Sequence, residues 1–458
     1  MRRLTLPSLL VLGLAAGGAG YAAVGMGQVE APSAPRPQPS TLEILTNPVP
    51  AGLPNSEQVR RGQYLVRAAD CAVCHTPVGG RPFAGSFGLN TPFGIIYSTN
   101  LTSDAETGLG RMSPDTFYRA LHEGIGPKGG HVYPAMPYPY FSRMTRADTD
   151  AMLAFLKTVP PVRARRPANK LMFPLNFRIF AGAWKALFFR PATYRPDPTK
   201  SAAWNRGSYL VTGPAHCAAC HTPTNLLGAE ESKRAFQGGT LDNWVAPDLT
   251  SDPRVGLGSW SRADIVEYLK TGRNTHANAG GPMGEVVSFS TSLMTDGDLE
   301  AIATYLQDLP APRRRPTTPR VDAASLSRGG AIYSDACSSC HLSDGGGQAR
   351  FFPPLAGNAV VQQRDARGVS HLILAGSRTG PTATRPSALA MPSYAWKLDD
   401  RQVADVATYI RNSWGNRAPA VQPRDVAGMR RRLGLEKPRL TDASGDHEQS
   451  ADVQPRAR

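Results

Sequence analysis

All six cysteines of the 458-residue chain fall in one motif, Cys-x-x-Cys-His, which occurs three times. The copies are Cys71-Ala72-Val73-Cys74-His75, Cys217-Ala218-Ala219-Cys220-His221 and Cys337-Ser338-Ser339-Cys340-His341. Two thiols at this spacing can bond to the vinyl groups of a porphyrin, and the adjoining imidazole can take its iron. Each copy therefore reads as an attachment site for haem c, giving three covalently bound haems. Zinc would need four ligands to converge, and no Cys-x-x-Cys stands at finger spacing from another. No cysteine is left for a disulfide. Covalent haem c is assembled outside the bacterial cytoplasm, so an export signal is expected.

An iron that only transfers electrons has both axial positions filled, and methionine raises its potential. Met136, in Tyr133-Pro134-Ala135-Met136-Pro137, follows His75 by 61 residues. Met391, in Ala390-Met391-Pro392, follows His341 by 50 residues. A methionine followed by proline on irregular chain suits a distal ligand better than a core position. Met283, in Gly280-Gly281-Pro282-Met283, follows His221 by 62 residues and is the choice for the second site. Its rival Met294 aligns with Met144 just before a helix cap, where packing explains both. Met112 reads as structural. His131 and His276 stand near the distal loops as secondary candidates for iron, propionate or water. His216 precedes a haem cysteine, while His122, His371 and His447 show no partner in the sequence.

The elements that hold these residues repeat as well. Arg61-Gly62-Gln63-Tyr64-Leu65-Val66, Arg206-Gly207-Ser208-Tyr209-Leu210-Val211 and Arg328-Gly329-Gly330-Ala331-Ile332-Tyr333 precede the three motifs on helical pattern. Glycine inside a helix costs about 1 kcal/mol against alanine, so its recurrence implies close helix–helix contact. A later helix in each copy has a start signal: Thr145-x-x-Asp148, Thr295-x-x-Asp298 and Asp399-x-x-Gln402 read as capping boxes. Met144, Met294 and Leu398 stand before the caps as hydrophobic staples. Phe155, Tyr305 and Tyr409 occupy matching positions on these helices, as an aromatic facing the glycine should. The first two copies also share Asn100-Leu101-Thr102-Ser103-Asp104 with Asp248-Leu249-Thr250-Ser251-Asp252, and Gly108-Leu109-Gly110 with Gly256-Leu257-Gly258.

These stretches resemble class I cytochrome c domains over about 57–160, 203–310 and 325–415. The resemblance implies a mainly α fold of three tandem domains, with first and last helices packed together and the haem wedged between. Domains are expected at 56–160, 203–310 and 323–416, with linkers at 27–55, 161–202 and 311–322. Residues 417–458 form a C-terminal extension with a polar tail. The segment 1–26 reads as a signal peptide or N-terminal membrane anchor, with Arg2 and Arg3 before an uncharged run. Cleavage after Ala23 or near Ala31 fits. Within 161–202, Leu171 to Phe189 carries eleven large apolar residues interleaved with Arg178 and Lys185, followed by Arg190. It is too short and charged to span a bilayer. An interfacial amphipathic helix, an interdomain helix and a partner contact all fit it.

The formal charge of +15 suits anionic lipid or an acidic protein partner. Nucleic acid is excluded by the compartment and the lack of a recognition motif. There is no Gly-rich nucleotide loop and no nucleophile–base pair, so the chain is not expected to be an enzyme itself. Three haem motifs with these flanks, over roughly 55–430, are similar to the cytochrome c subunit of periplasmic membrane-bound dehydrogenases of acetic acid bacteria and relatives. The alcohol, gluconate, sorbitol, fructose and aldehyde enzymes are of this type. The resemblance implies a dehydrogenase partner carrying flavin, pyrroloquinoline quinone or a molybdenum cofactor, and a small third subunit. It implies ubiquinone as acceptor at the membrane surface, on the periplasmic side. Without the C-terminal membrane segment of some members, attachment is expected through the N-terminus, 171–190 or the partner. The competing reading is a self-standing or oxidase-linked carrier; a peroxidase-like protein with one open iron is a third.

Overall fold

The computed structural model describes residues 40–435, apart from 242 and 314–319. The N-terminal signal or anchor, residues 27–39 of the first linker, part of 311–322, the tail beyond 435 and His447 lie outside the described residues. Each copy opens with a helix, Ser56–Ala68, Ala202–Thr212 or Ala323–Ala336, and runs directly into its Cys-x-x-Cys-His motif. A middle helix follows (Pro114–His122, Arg262–Thr271, Arg367–Ala375), then the distal loop, then a closing helix (Arg146–Leu156, Asp296–Gln307, Asp400–Ile410). Strands are few and short: 88–91, 94–97 and 170–171 form one antiparallel sheet, and 237–241 with 244–248 and 377–378 with 390–391 form two more.

Opening and closing helices cross at the expected glycines. A Cβ on Gly62 would lie 1.8 Å from the Ala151 carbonyl oxygen, on Gly207 1.9 Å from that of Ala301, and on Gly329 2.2 Å from that of Asp405. Phe155, Tyr305 and Tyr409 present their Cβ atoms to the same three glycines. Only a residue without a side chain permits this approach, so three helix pairs are fixed by one rule. Met144, Met294 and Leu398 are buried at the starts of the closing helices, as staples require.

The capping boxes need correction. Thr145 and Thr295 do cap their helices, accepting from the backbone N–H of Asp148 and Asp298. Those aspartates do not reach back; of the three expected boxes, Asp399 and Gln402 alone close reciprocally. The carboxylates serve stronger donors instead. Asp148 accepts from Arg61 of its own domain and from the Tyr209 hydroxyl of the second. Asp298 accepts from Arg206 and from the Tyr64 hydroxyl of the first. Charge-assisted bonds outcompete a neutral backbone donor, and the result is a reciprocal interface between domains 1 and 2.

Domain 3 docks on domain 2 differently. Arg350 and Arg385 both bond Glu267 at 2.5 and 3.1 Å. His371 Nδ1–H donates to the Asn243 carbonyl, and its ring lies 4.1 Å from that of Trp244. Within the C-terminal extension, helix Pro423–Arg432 buries Val426 and Met429 against the domain 3 core. Among the described residues no helix is long and apolar enough to cross a membrane.

Candidate haem sites

Each opening helix delivers its motif into a short helical turn whose imidazole is held the same way. His75 Nδ1–H donates to the Thr99 carbonyl at 2.7 Å, His221 to Pro247 at 2.7 Å and His341 to Pro353 at 3.0 Å. A donating Nδ1 fixes the tautomer with its lone pair on Nε2, the atom a metal would take. No Nε2 of the three has a hydrogen-bond partner among the described residues. Burial pushes all three imidazoles below their usual range, against the opposing pull of the carbonyl bonds. They stay neutral at neutral pH, the form that ligates.

The segment shared by domains 1 and 2 explains the carbonyl's position. Thr99 and Pro247 stand just before Asn100 and Asp248. The side chains of those residues accept from the backbone N–H and hydroxyl of Thr102 and Thr250, at 2.6–2.9 Å. Ser103 and Ser251 then tie the turn to the end of each closing helix, through the Val159 and Leu309 carbonyls. Gly108 and Gly256 pack on the Thr102 and Thr250 carbonyls where a Cβ would stand 2.3 Å away. Domain 3 lacks the segment and supplies Pro353 from a different loop.

The thiols are free; Cys71, Cys217, Cys220 and Cys337 are half-buried, and Cys74 and Cys340 are exposed. Burial pushes Cys71 well up, Cys217 up to about 12, and Cys220 and Cys337 to about 11. Among the described residues no cluster of three or more His, Cys, Asp or Glu could hold an ion. The donor set therefore fits haem c: a thiol pair and one neutral imidazole per site.

The distal loops hang from a common device. Each middle helix runs to a left-handed glycine, Gly124, Gly272 or Gly376 (φ +61, +73 and +72°). Val132 N–H bonds the Gly124 carbonyl at 2.9 Å, and Ala279 N–H bonds that of Gly272 at 2.7 Å. Four residues beyond these matched bonds stand Met136 and Met283. Met136 lies in a tight turn against the domain 1 core. Met283 lies half-buried in the first turn of helix Pro282–Phe289. Met391 lies in a strand pair with Ser377, immediately after Gly376, and packs on the domain 3 core. Met144 and Met294 are core side chains, and Met112 packs at the core's edge.

The described histidines outside the motifs pack against protein groups. His122 stacks on Tyr118 at 4.8 Å, and His276 stacks on Trp260 at 5.0 Å and faces Asp264. His216 packs edge-on against Phe141 of domain 1 at 5.6 Å. His131 lies beneath helix Arg178–Phe188, where a Cβ on Gly182 would meet its ring at 2.6 Å. Sequence reasoning missed Tyr64 and Tyr209 as interdomain ties, although both recur in the same repeat.

The sequence matches the cytochrome c family, described as "Cytochrome c", over residues 59–160, 205–310 and 326–414. It is 41% identical over 413 residues to the cytochrome c subunit of the quinone alcohol dehydrogenase of Gluconacetobacter polyoxogenes, covering 85% of this chain and 88% of the relative. It is 38% identical over 403 residues to the gluconate 2-dehydrogenase cytochrome c subunit of Pantoea cypripedii, covering 82% and 90%. It is 37% identical over 418 residues to the fructose dehydrogenase cytochrome subunit of Gluconobacter japonicus, covering 84% and 85%. With three matched domains and relatives aligned along most of their length, the chain belongs to the cytochrome c family, among the cytochrome c subunits of dehydrogenases.

Proposed function

We propose that this chain relays electrons from a periplasmic dehydrogenase subunit to ubiquinone at the membrane surface. The observation that carries the reading is the threefold repetition of one proximal geometry, in His75, His221 and His341. In this reading Cys71 and Cys74, Cys217 and Cys220, and Cys337 and Cys340 form the thioethers. The three histidines are the proximal ligands, and Met136, Met283 and Met391 the distal ones. A bound haem c supplies a one-electron carrier whose potential methionine raises. The chain's own work is to fix each imidazole through a carbonyl, close each crevice with crossed helices and hold three sites in one polypeptide. Substrate oxidation belongs to a partner carrying flavin, pyrroloquinoline quinone or molybdenum. The relatives named as subunits of alcohol, gluconate and fructose dehydrogenases support that division.

The segment 172–188 supports a lipid seat. Phe173 is 81% exposed, with Met172, Phe177, Ile179 and Leu187 also exposed beside it. Domain 2 extends the patch, since Trp184 Nε1–H bonds the Leu227 carbonyl and Leu226 is 96% exposed. Residues 151–196 contain nine Lys or Arg and no Asp or Glu. Exposed apolar side chains in a cation-rich stretch suit an anionic bilayer surface.

The test is purification from detergent-solubilised native membranes with mass spectrometry of what accompanies the chain, followed by turnover with a soluble ubiquinone analogue. A large cofactor-bearing dehydrogenase subunit, and quinone reduction lost when the cytochrome is stripped, is the expected result. Recovery alone or with oxidase subunits overturns it in favour of a carrier between respiratory complexes.

A further inference from the structure

The three distal loops share a beginning but not a support. In domain 3 the loop closes on itself through strands 377–378 and 390–391. In domain 2 it leans on domain 3: Gly280 pairs with Thr379, and the Asn278 side chain donates to the Phe351 carbonyl at 2.9 Å. In domain 1 the support is helix Arg178–Phe188, from outside the domain's own helical core.

That helix grips the loop on both sides of Met136. Lys185 Nζ donates to the Glu123 and Gly124 carbonyls. The latter is the carbonyl that closes the loop onto Val132. Arg178 Nη1 donates to the His131 carbonyl at 2.6 Å, and its guanidinium lies 5.4 Å from the centre of the Tyr133 ring. The Tyr133 hydroxyl returns bonds to the Leu175 and Asn176 carbonyls at 2.9 and 3.1 Å. Beyond the methionine, buried Tyr138 meets Phe189 edge-on at 4.9 Å, and Lys185 Nζ lies 5.8 Å from its ring centre. Met136 is bonded through its backbone to both anchors, from its N–H to Tyr133 at 3.1 Å and from Tyr138 N–H to its carbonyl at 2.8 Å. Gly182 lets the helix seat on His131, since any Cβ there would overlap the ring.

We propose that Lys185 and Arg178 are positioning residues for the distal ligand of domain 1, holding the Met136 loop closed from the outside. The inference rests on Met136 being that ligand. Their acceptors are backbone carbonyls of the loop itself, so the grip fixes where the loop runs. Without it the loop keeps only its own short bridge between Ile125 and His131 and the Val132–Gly124 bond, and Met136 dissociates more readily.

The test uses the full-length holoprotein, with redox titration and imidazole as a competing iron ligand. Met136→Ala first identifies which of the three redox waves belongs to domain 1. The double variant Lys185→Met, Arg178→Met is expected to lower that wave alone. It should also raise imidazole affinity at that haem about tenfold, the scale set by losing one charge-assisted bond. Lys185→Arg on the native background should keep both properties near wild type. Unmoved waves at domains 2 and 3 report that the variant is folded. If the domain 1 wave and its imidazole affinity stay at wild-type values in the double variant, the clamp is wrong. If Met136→Ala moves no wave, the ligand assignment fails and the clamp falls with it.

Discussion

Replacing Gly62 by alanine tests the crossing that closes the domain 1 crevice. The new Cβ would sit 1.8 Å from the Ala151 carbonyl oxygen, where contacts under 3.0 Å essentially never occur. The two helices must part by about 1 Å, and a gap of that size forfeits a quarter to a half of each dispersion contact it opens. Overpacking of this kind costs about 1–3 kcal/mol, and rigid backbone on both sides places Gly62 at the upper end. Alanine's better helix propensity returns about 1 kcal/mol. The net loss is about 2 kcal/mol, or roughly 10 °C in the melting of a domain of this size. Gly297 is the control, because a Cβ there meets nothing within 4 Å; Gly297→Ala should be neutral or stabilising. The assay is scanning calorimetry of the holoprotein, with haem absorbance to identify the domain that melts. A Gly62→Ala protein melting at or above the wild-type temperature would refute the reasoning, as would equal losses in both variants.

The interdomain ties predict a symmetric pair: Tyr64→Phe and Tyr209→Phe each remove one bond to a carboxylate and should each cost about 1.5 kcal/mol, read by amide exchange at the domain 1–2 interface. Burial raises the Asp298 carboxyl, but the Arg206 and Tyr64 bonds outweigh it and hold the group below its usual range. A depressed carboxylate stabilises the fold above its unfolded pKa, and that stability is lost as pH falls through the folded value. The interface should therefore loosen below about pH 4, and Asp298→Asn should flatten that dependence in melting curves. Met136→Ala, Met283→Ala and Met391→Ala should each lower one redox wave. Met294→Ala should move none while costing about 2–5 kcal/mol of stability, because its side chain is 1% exposed in the domain 2 core.

Much of this architecture was legible because its rules are local. A glycine at one helical position and an aromatic at another predict a crossing wherever they recur, and all three crossings form. The Met136 and Met391 loops were visible through proline, and the methionines before the caps through their staple position. The reciprocal ties were not legible: Tyr64 and Asp298 are 234 residues apart, and their pairing depends on how two domains dock. The same docking explains the misread capping boxes, since the sequence pattern names a local acceptor for each carboxylate but not the distant donors that win it. Lys185 left no signal either. Its acceptors are main-chain carbonyls, which any sequence supplies, so its role emerges only once the helix lies across the loop. The C-terminal helix was hidden by its charge, because Val426 and Met429 are few apolar residues among many arginines.

Domains 1 and 2 relate to each other as equivalent halves. Each sends a tyrosine from its opening helix to an aspartate on the other's closing helix, and each of those aspartates is shared with an arginine from its own opening helix. The exchange continues at the haem motifs. Helix Pro282–Phe289, which carries Met283 in its first turn, packs on helix Cys71–His75, while Phe141, just beyond Met136, packs on His216 beside Cys217. The methionine loop of each of these two domains thus abuts the Cys-x-x-Cys-His motif of the other. Domain 3 has Ala331 where the other two have tyrosine, keeps its arginine–aspartate pair to itself, and joins through Glu267 and the domain 2 distal loop. The chain is therefore a fused pair plus an appended third unit. Spacing between the first two sites is set by interlocked helices, whereas spacing to the third is set by unrepeated contacts: Glu267 takes two arginines of domain 3, buried His371 lies on Trp244, and the buried Arg273 guanidinium reaches the Ser387 carbonyl.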